Sequence, residues 1–325
     1  MRYTHVAKRA IILFSLLLIA IAGFARRTAD KNTGGVAFPY SDTGLLFSDA
    51  TDLPDNMALH EIAPGAPRPY ALIAGGSKGI GYGIAEALAR RGYNLVLVAR
   101  HMDTLVAAKA RLEAAYHVHV AVLAKDLAEE KTATEIAKWC NEKKLPLKML
   151  CNVAGMGGSK DYLRLPLDTL RYMVRLNVES CMALSYTLLP LLEQNAPSYI
   201  LNVASMAGLA PIPAKNMYSA TKSAIVFFSY SLRYQLKKKH VSVSCLCPGP
   251  VFTKPEIVKD TKEKLGWFGM KMALSPHRVG EVTVRKTLKR RMIIVPGTLA
   301  KIMSGVLRVL PRRVSAYIYY KKIGG

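Results

Sequence analysis

YALIAGGSKGIGYGIAEALARRG, residues 70–92, runs a short apolar stretch into a glycine turn and then straight into an amphipathic helix. Tyr70-Ala71-Leu72-Ile73-Ala74 has the length and composition of a buried strand, and IAEALARRG spaces its apolar residues at helical period before Gly92 closes it. Glycines between a strand and a helix let the backbone approach a pyrophosphate at the helix N-terminus, where unpaired N–H groups and the helix dipole favour negative charge. Gly75, Ser77, Lys78, Gly79, Ile80 and Gly81 are therefore candidate ligand-binding residues.

Working outward, further apolar runs follow at intervals that leave room for a helix between them. NLVLVA (94–99), HVHVAVLA (117–124), LKMLC (147–151), SYILNV (198–203), VSVSCL (241–246) and MIIV (292–295) read as strands. Strands alternating with helices imply right-handed crossovers and a parallel sheet, that is, an α/β doubly wound Rossmann fold with its ligand at the strands' carboxyl ends. The expected organisation is a hydrophobic anchor over 1–27, a linker over 28–68, one Rossmann domain over 69–297 and a basic helical tail over 298–325.

A second stretch, NVASMAGLAPIPAKNMYSATK at 202–222, carries a hydroxyl at Ser205, a phenol at Tyr218 and an ammonium at Lys222. A spacing of four puts Tyr218 and Lys222 on one helix face, where a cation lowers the pKa of a phenol that is otherwise about 10. Alone, that pairing is an ordinary feature of helix surfaces. Ser205 followed by Met206-Ala207-Gly208, with Tyr218 thirteen positions on and then Lys222, resembles the active-site segment of the short-chain dehydrogenase/reductase superfamily.

The resemblance runs over about residues 69 to 297, with the motifs in the family's order. The glycine turn has the family's spacing Gly75-x-x-x-Gly79-x-Gly81, with Ala74 where threonine is usual. Asp126-Leu127 resembles the pair that contacts adenine. Asn152, Ala154 and Gly155 resemble the segment that supports the central strand and the nicotinamide ribose, with Val153 departing from it. Asn177 matches the active-site asparagine that holds a water in the proton path, and Pro248, Gly249, Val251 and Thr253 match the segment that closes over the nicotinamide. The resemblance implies a reaction in which Ser205 hydrogen-bonds a substrate carbonyl and Tyr218, its pKa lowered by Lys222 and the cofactor's charge, transfers the proton. Lys222 would also bind the ribose hydroxyls. Arg100 ends the second strand, where NAD-using members carry an acidic residue. With Lys78 in the turn, it argues for NADP (NADPH). An N-terminal anchor and a basic tail make the chain resemble hydroxysteroid dehydrogenases and 3-oxoacyl-CoA reductases, which implies a lipid-like ketone or alcohol as substrate.

Five cysteines without framework spacing read as structural, and no third ligand accompanies His117 and His119, which share a face of the expected strand, so no metal is expected. The net charge is +24, and Arg233 to Gly325 holds 21 Lys+Arg against 4 Asp+Glu, which points to an anionic partner. No nucleic-acid motif accompanies that charge. A membrane does fit. Ala10 to Ala25 is uncharged between Lys8-Arg9 and Arg26-Arg27, and sixteen helical residues rise about 24 Å, enough for a single-pass anchor with snorkelling flanks. A cleaved secretory signal is the rival reading. Lys254 to Pro276, with Trp267, Phe268, Met270 and Met272, reads as a substrate lid. Leu299, Ile302, Met303, Val306, Leu307 and Leu310 mark one face of a tail helix suited to a membrane surface, to the domain itself or to a homodimer partner. The reading of a different class is a membrane-associated NADP-binding scaffold without turnover.

Overall fold

Alternate residues of each strand serve opposite faces of one sheet, which is why the strands are apolar throughout rather than at every second position. The computed structural model describes residues 67–157, 162, 165–253, 270 and 272–323. Among them, β1 (Tyr70–Ala74), β2 (Asn94–Ala99), β3 (Val120–Ala124), β4 (Leu147–Asn152), β5 (Ser198–Val203), β6 (Val241–Leu246) and β7 (Ile293–Ile294) form one sheet in the order β3-β2-β1-β4-β5-β6-β7. Every pairing is parallel. The helices are α1 (Gly79–Ala89), α2 (Met102–Tyr116), α3 (Thr132–Glu142), α4 (Leu167–Val174), α5 (Ser180–Thr187), α6 (Leu189–Gln194), α7 (Asn216–Gln235), α8 (Pro276–Leu288), α9 (Thr298–Val309) and α10 (Arg312–Ile323).

Ala71, Ile73, Leu95 and Leu97 pack with Ile84 and Leu88 of α1, Leu105 and Leu112 of α2, and Val279 and Val284 of α8. Leu72, Ala74, Val96 and Val98 pack on the other face with Ile136 of α3, Leu184 of α5 and Leu191 of α6. Each fully buried leucine or isoleucine contributes roughly 1.5–3 kcal/mol relative to exposure. From β3 the chain crosses back over β1 to reach β4, so the strand order reverses at β1 and β4. The carboxyl ends of these two strands border the crevice where such sheets bind ligands.

Three expectations need correction. The third strand starts at Val120, because His117 adopts a left-handed conformation (φ 52°) that closes α2. His117 and His119 therefore do not share a strand face, and the His119 ring bonds the Tyr70 phenol at 3.0 Å. TLRYMVRLNVESCMALSYTLL, residues 169–189, reads as one helical stretch, but a π turn at Arg175–Glu179 interrupts the α-helical pattern between α4 and α5. The last strand has two residues rather than four.

The tail helix α9 docks on the domain: Ala300 and Leu307 join Ile225, Cys245, Cys247 and Val295 in one apolar cluster. Arg312, at the start of α10, donates to the Leu209 carbonyl at 3.1 Å. All five cysteines are buried and free. No helix among the described residues is long and apolar enough to cross a membrane. The expected anchor, nearly all of the linker, and Trp267 and Phe268 of the expected lid lie outside the described residues. The base of that lid is described: Val251 pairs with Leu274, and Phe252 N–H donates to the Leu274 carbonyl at 3.1 Å.

One contact fixes the helix that follows the glycine turn. A Cβ on Gly83 would lie 2.2 Å from the Pro276 carbonyl oxygen, and one on Gly280 would lie 2.0 Å from the Gly83 carbonyl oxygen, so α1 and α8 touch backbone to backbone. Glu281 ties them together through Arg91 and, at 3.2 Å, Arg90, and His277 meets Glu86 at 2.7 Å. Because the obstructing atoms are backbone, neither helix can yield locally. Gly280→Ala is expected to destabilise the fold by about 1–3 kcal/mol, read as a lower urea midpoint; an unchanged midpoint would show that the two helices separate freely.

Candidate active site

The glycine turn leaves β1 with Gly75 at φ 93° and Gly79 at φ 55°, conformations that side chains with a Cβ seldom adopt. Gly75 N–H donates to the Val98 carbonyl at 2.7 Å, which seats the turn against the end of β2. A Cβ on Gly75 would meet the Ala154 nitrogen at 2.7 Å, and one on Gly81 would meet the Gly75 carbonyl oxygen at 2.0 Å. The turn thus closes on itself and on the segment after β4. Ala154 N–H and Val153 N–H both donate to the Ala74 carbonyl, at 2.7 and 2.9 Å. Thr253 reaches the same place, its methyl 3.0 Å from where a Gly79 Cβ would stand. Ile80 packs against the core, and Lys78 and Arg100 are exposed.

At the far end of the same edge, Asn177, Ser205, Tyr218 and Lys222 come together from three segments, the last two both from α7. The π turn carries Asn177, which is 2% exposed. Its Oδ1 accepts from Met156 N–H at 2.7 Å, and its Nδ2 donates to the Met156 carbonyl at 3.0 Å and to Thr221 Oγ1 at 3.1 Å. Such turns insert one residue into a helix and occur often at functional sites. Ser205 follows β5 and accepts from Ala207 N–H at 3.1 Å, and its hydroxyl faces the Tyr218 phenol closely enough to favour the phenol's ionised form. Lys222 is 4% exposed, and its ammonium donates to the Val203 carbonyl at 2.9 Å. A Cβ on Gly155 would stand 3.1 Å from the Lys222 nitrogen and 3.2 Å from Asn177 Oδ1, so a side chain there would press on both groups.

The electrostatics differ from the expectation. Burial pushes the Tyr218 phenol up, opposed by the Ser205 hydroxyl, and Lys222 is not among the groups that lower it. The Lys222 nitrogen lies 5.9 Å from the Tyr218 ring centre, with its nearest described acceptor on β5. Burial also pushes Lys222 down to about 8. An ammonium without a carboxylate partner, held largely by one carbonyl, accounts for that direction.

Some of the expected residues have other partners. Asp126 Oδ1 accepts from Ala128 N–H at 2.9 Å, and both its oxygens lie 3.2 Å from the Tyr172 phenol; Leu127 is buried in the core. Asn152 faces inward, donating to Asn202 Oδ1 at 2.9 Å and Ser185 Oγ at 3.1 Å, while its own Oδ1 has no described partner. Asn202 continues the chain to Ser229 at 3.0 Å. Pro248 accepts from Met206 N–H at 3.0 Å, a Gly249 Cβ would lie 3.5 Å from the Met206 sulfur, and Val251 is core. Sequence reasoning missed Tyr172, Thr221 and Asn202. Asn202 carries a signal: SYILNV and LKMLCN place a polar residue at the same register of adjacent strands.

The residues present suit a dinucleotide. The first turn of α1 has no side-chain cap for its N–H groups, and Ser77 and the exposed Lys78 lie in the turn just before it, which leaves those donors open to an anion.

This chain belongs to the short-chain dehydrogenase family, whose profile matches residues 69–264. Among curated relatives it is similar to the very-long-chain 3-oxoacyl-CoA reductase of Rattus norvegicus, 29% identical over 264 residues that cover 79% of this chain and 78% of the rat protein. It is also similar to the Mus musculus enzyme of the same name, 32% identical over 200 residues, which span 60% of this chain and 64% of the mouse protein. Among solved structures it resembles L-sorbose reductase from Gluconobacter frateurii complexed with NADPH and L-sorbose. That match has a TM-score of 0.65 and 25% identity, covering 71% of this chain and 97% of the reductase.

The depressed Lys222 pKa has a measurable signature. Between about pH 8 and pH 10.5 the unfolded chain binds a proton that the folded chain has released, so stability rises with pH across that window. The unfolding free energy of the wild type minus that of Lys222→Met, in urea titrations without nucleotide, should rise by an amount on the order of 3 kcal/mol from pH 7.5 to pH 10.5. A difference that stays flat would place the ammonium in a solvated site.

Proposed function

We propose that this chain is an NADP(H)-dependent oxidoreductase that interconverts a ketone and a secondary alcohol, with Tyr218 as general acid and base. The observation that carries the reading is the convergence of Ser205, Tyr218, Asn177 and Lys222 at the strand ends that also hold the glycine turn. The nicotinamide cofactor, when bound, supplies the hydride to the carbonyl carbon. Ser205 orients the carbonyl oxygen by a hydrogen bond. The Tyr218 phenol, which burial keeps protonated at neutral pH, donates its proton to the oxygen as negative charge develops there. The nearby Lys222 ammonium stabilises the phenolate left behind and holds the ribose hydroxyls. Asn177 fixes the Met156 backbone and Thr221, and with Lys222 it opens the path by which solvent returns the proton.

Gly75, Ser77, Lys78, Gly79, Ile80 and Gly81 would cradle the pyrophosphate, with Asp126 and Leu127 at the adenine. Asn152, Ala154, Gly155, Pro248, Gly249, Val251 and Thr253 would form the nicotinamide end. Arg100 and Lys78, exposed beside the turn, support the 2′-phosphorylated cofactor, and NADPH is the nucleotide bound in L-sorbose reductase. The names of the rat and mouse relatives support a lipid-like substrate, a fatty-acyl or similarly bulky ketone. A single-pass anchor at 1–27, a linker at 28–68, a catalytic domain at 69–297 and a tail at 298–325 make the enzyme membrane-associated. Exposed Tyr317, Ile318 and Tyr320 between Arg312, Arg313 and Lys321 support a tail at the lipid surface. Phe227 and Tyr234 of α7, both strongly exposed, leave a surface that a second copy would cover.

Tyr218→Phe separates turnover from a binding role. NADPH oxidation with a panel of long-chain and steroidal ketones should fall about a hundredfold or more, with NADPH affinity within a few-fold of the wild type. Turnover that survives the substitution would remove Tyr218 from the chemistry. A cellular role that survives it would favour the scaffold.

A further inference from the structure

Three segments of the carboxyl edge are joined by a hydrogen-bond chain that no motif announces. Arg100, the residue after β2, donates from Nη1 to the Tyr172 phenol of α4 at 3.0 Å, with its guanidinium carbon 5.9 Å from the ring centre. The same phenol donates to Asp126, the second residue beyond β3, whose oxygens both lie 3.2 Å away. Asp126 is itself held, since its Oδ1 accepts from Ala128 N–H at 2.9 Å and its carbonyl accepts from Thr132 Oγ1 at 2.7 Å.

We propose that Tyr172 is a positioning residue for cofactor choice: its phenol fixes the Arg100 guanidinium at the end of β2 and keeps the Asp126 carboxylate one bond removed from it. The inference rests on the NADP(H) reading above and deepens it. An exposed arginine has many rotamers open to it, so an unrestrained Arg100 would lose much of that freedom on meeting an anion. Tyr172 has already restricted it, and it occupies one of five N–H donors, which leaves the others for a phosphate.

The order of the three groups matters as much as their spacing. A carboxylate paired directly with Arg100 would neutralise the guanidinium and repel a 2′-phosphate. Among the described residues no ion pair joins Arg100 to Asp126, and the neutral phenol stands between them. Burial and the Asp126 charge both push the Tyr172 phenol up, so it keeps the proton it donates to Asp126 while accepting from Arg100. Tyr172 thus acts through Arg100 and need not itself touch the nucleotide.

The test is a titration of the full chain in detergent with NADPH and with NADH, followed by nucleotide fluorescence, for the wild type, Tyr172→Phe, Arg100→Ala and the double variant. Phenylalanine keeps the ring under the guanidinium and removes only the hydroxyl. The expected result is a wild-type preference for NADPH that Tyr172→Phe lowers about fivefold to tenfold, with NADH affinity nearly unchanged and no further loss in the Arg100→Ala background. Equal weakening of both nucleotides would reduce Tyr172 to a structural residue and overturn the proposal. So would a preference that Arg100→Ala abolishes and Tyr172→Phe leaves intact. A wild type without preference, unaffected by Arg100→Ala, would instead remove the NADP(H) reading and this inference with it.

Discussion

The ammonium of Lys222 is buried to 4% exposure, with the Val203 backbone carbonyl as a hydrogen-bond partner. Burying a cation costs several kcal/mol unless polar groups surround it, and the surrounding architecture follows from that demand. β5 must end where the Val203 carbonyl can reach it, α7 must start close enough to bring Lys222 back over the strand, and the segment after β4 carries glycine at 155, which leaves it space. A charge held this way is poorly stabilised, in line with the downward push of burial on its pKa. That makes it responsive: a nearby hydroxyl pair or a developing phenolate gains more from this cation than from one already paired with a carboxylate.

The same balance explains why the phenol and the ammonium do not behave as their helix spacing suggests. Four residues apart, Tyr218 and Lys222 share a helix face, yet the ammonium turns toward β5 and the phenol toward Ser205. Each is tuned first by burial, in opposite senses: the phenol up and the ammonium down, both toward their neutral forms. The surroundings favour a protonated phenol over a standing phenolate.

Most of the sheet was legible in the sequence because parallel strands buried on both faces read as uninterrupted apolar runs. Asn94–Ala99, Ser198–Val203 and Val241–Leu246 begin and end where composition alone puts them. Alternation within HVHVAVLA misled because a helix closed by a left-handed histidine uses up the first residues of what looks like a strand. The π turn was hidden because it differs from an α-helix by one inserted residue and leaves the composition untouched. In the site, residues marked by glycine spacing or by hydroxyl, phenol and ammonium in order were visible. Tyr172 and Thr221 were not, since their roles depend on which segments the crossovers bring together, and a tyrosine or threonine on a helix carries no local mark of that.

The five thiols point to a practical consequence. Cys140, Cys151, Cys181, Cys245 and Cys247 account for all the cysteine in the chain, and each is sealed in the interior. A folded molecule therefore shows a thiol-modifying reagent a surface without a native thiol, and one cysteine introduced on that surface becomes a unique address. A spin label or fluorophore placed on α10, on α7 or beside Arg100 would report from that position alone, so the distances that matter here can be followed in the native enzyme without first removing any of its own residues.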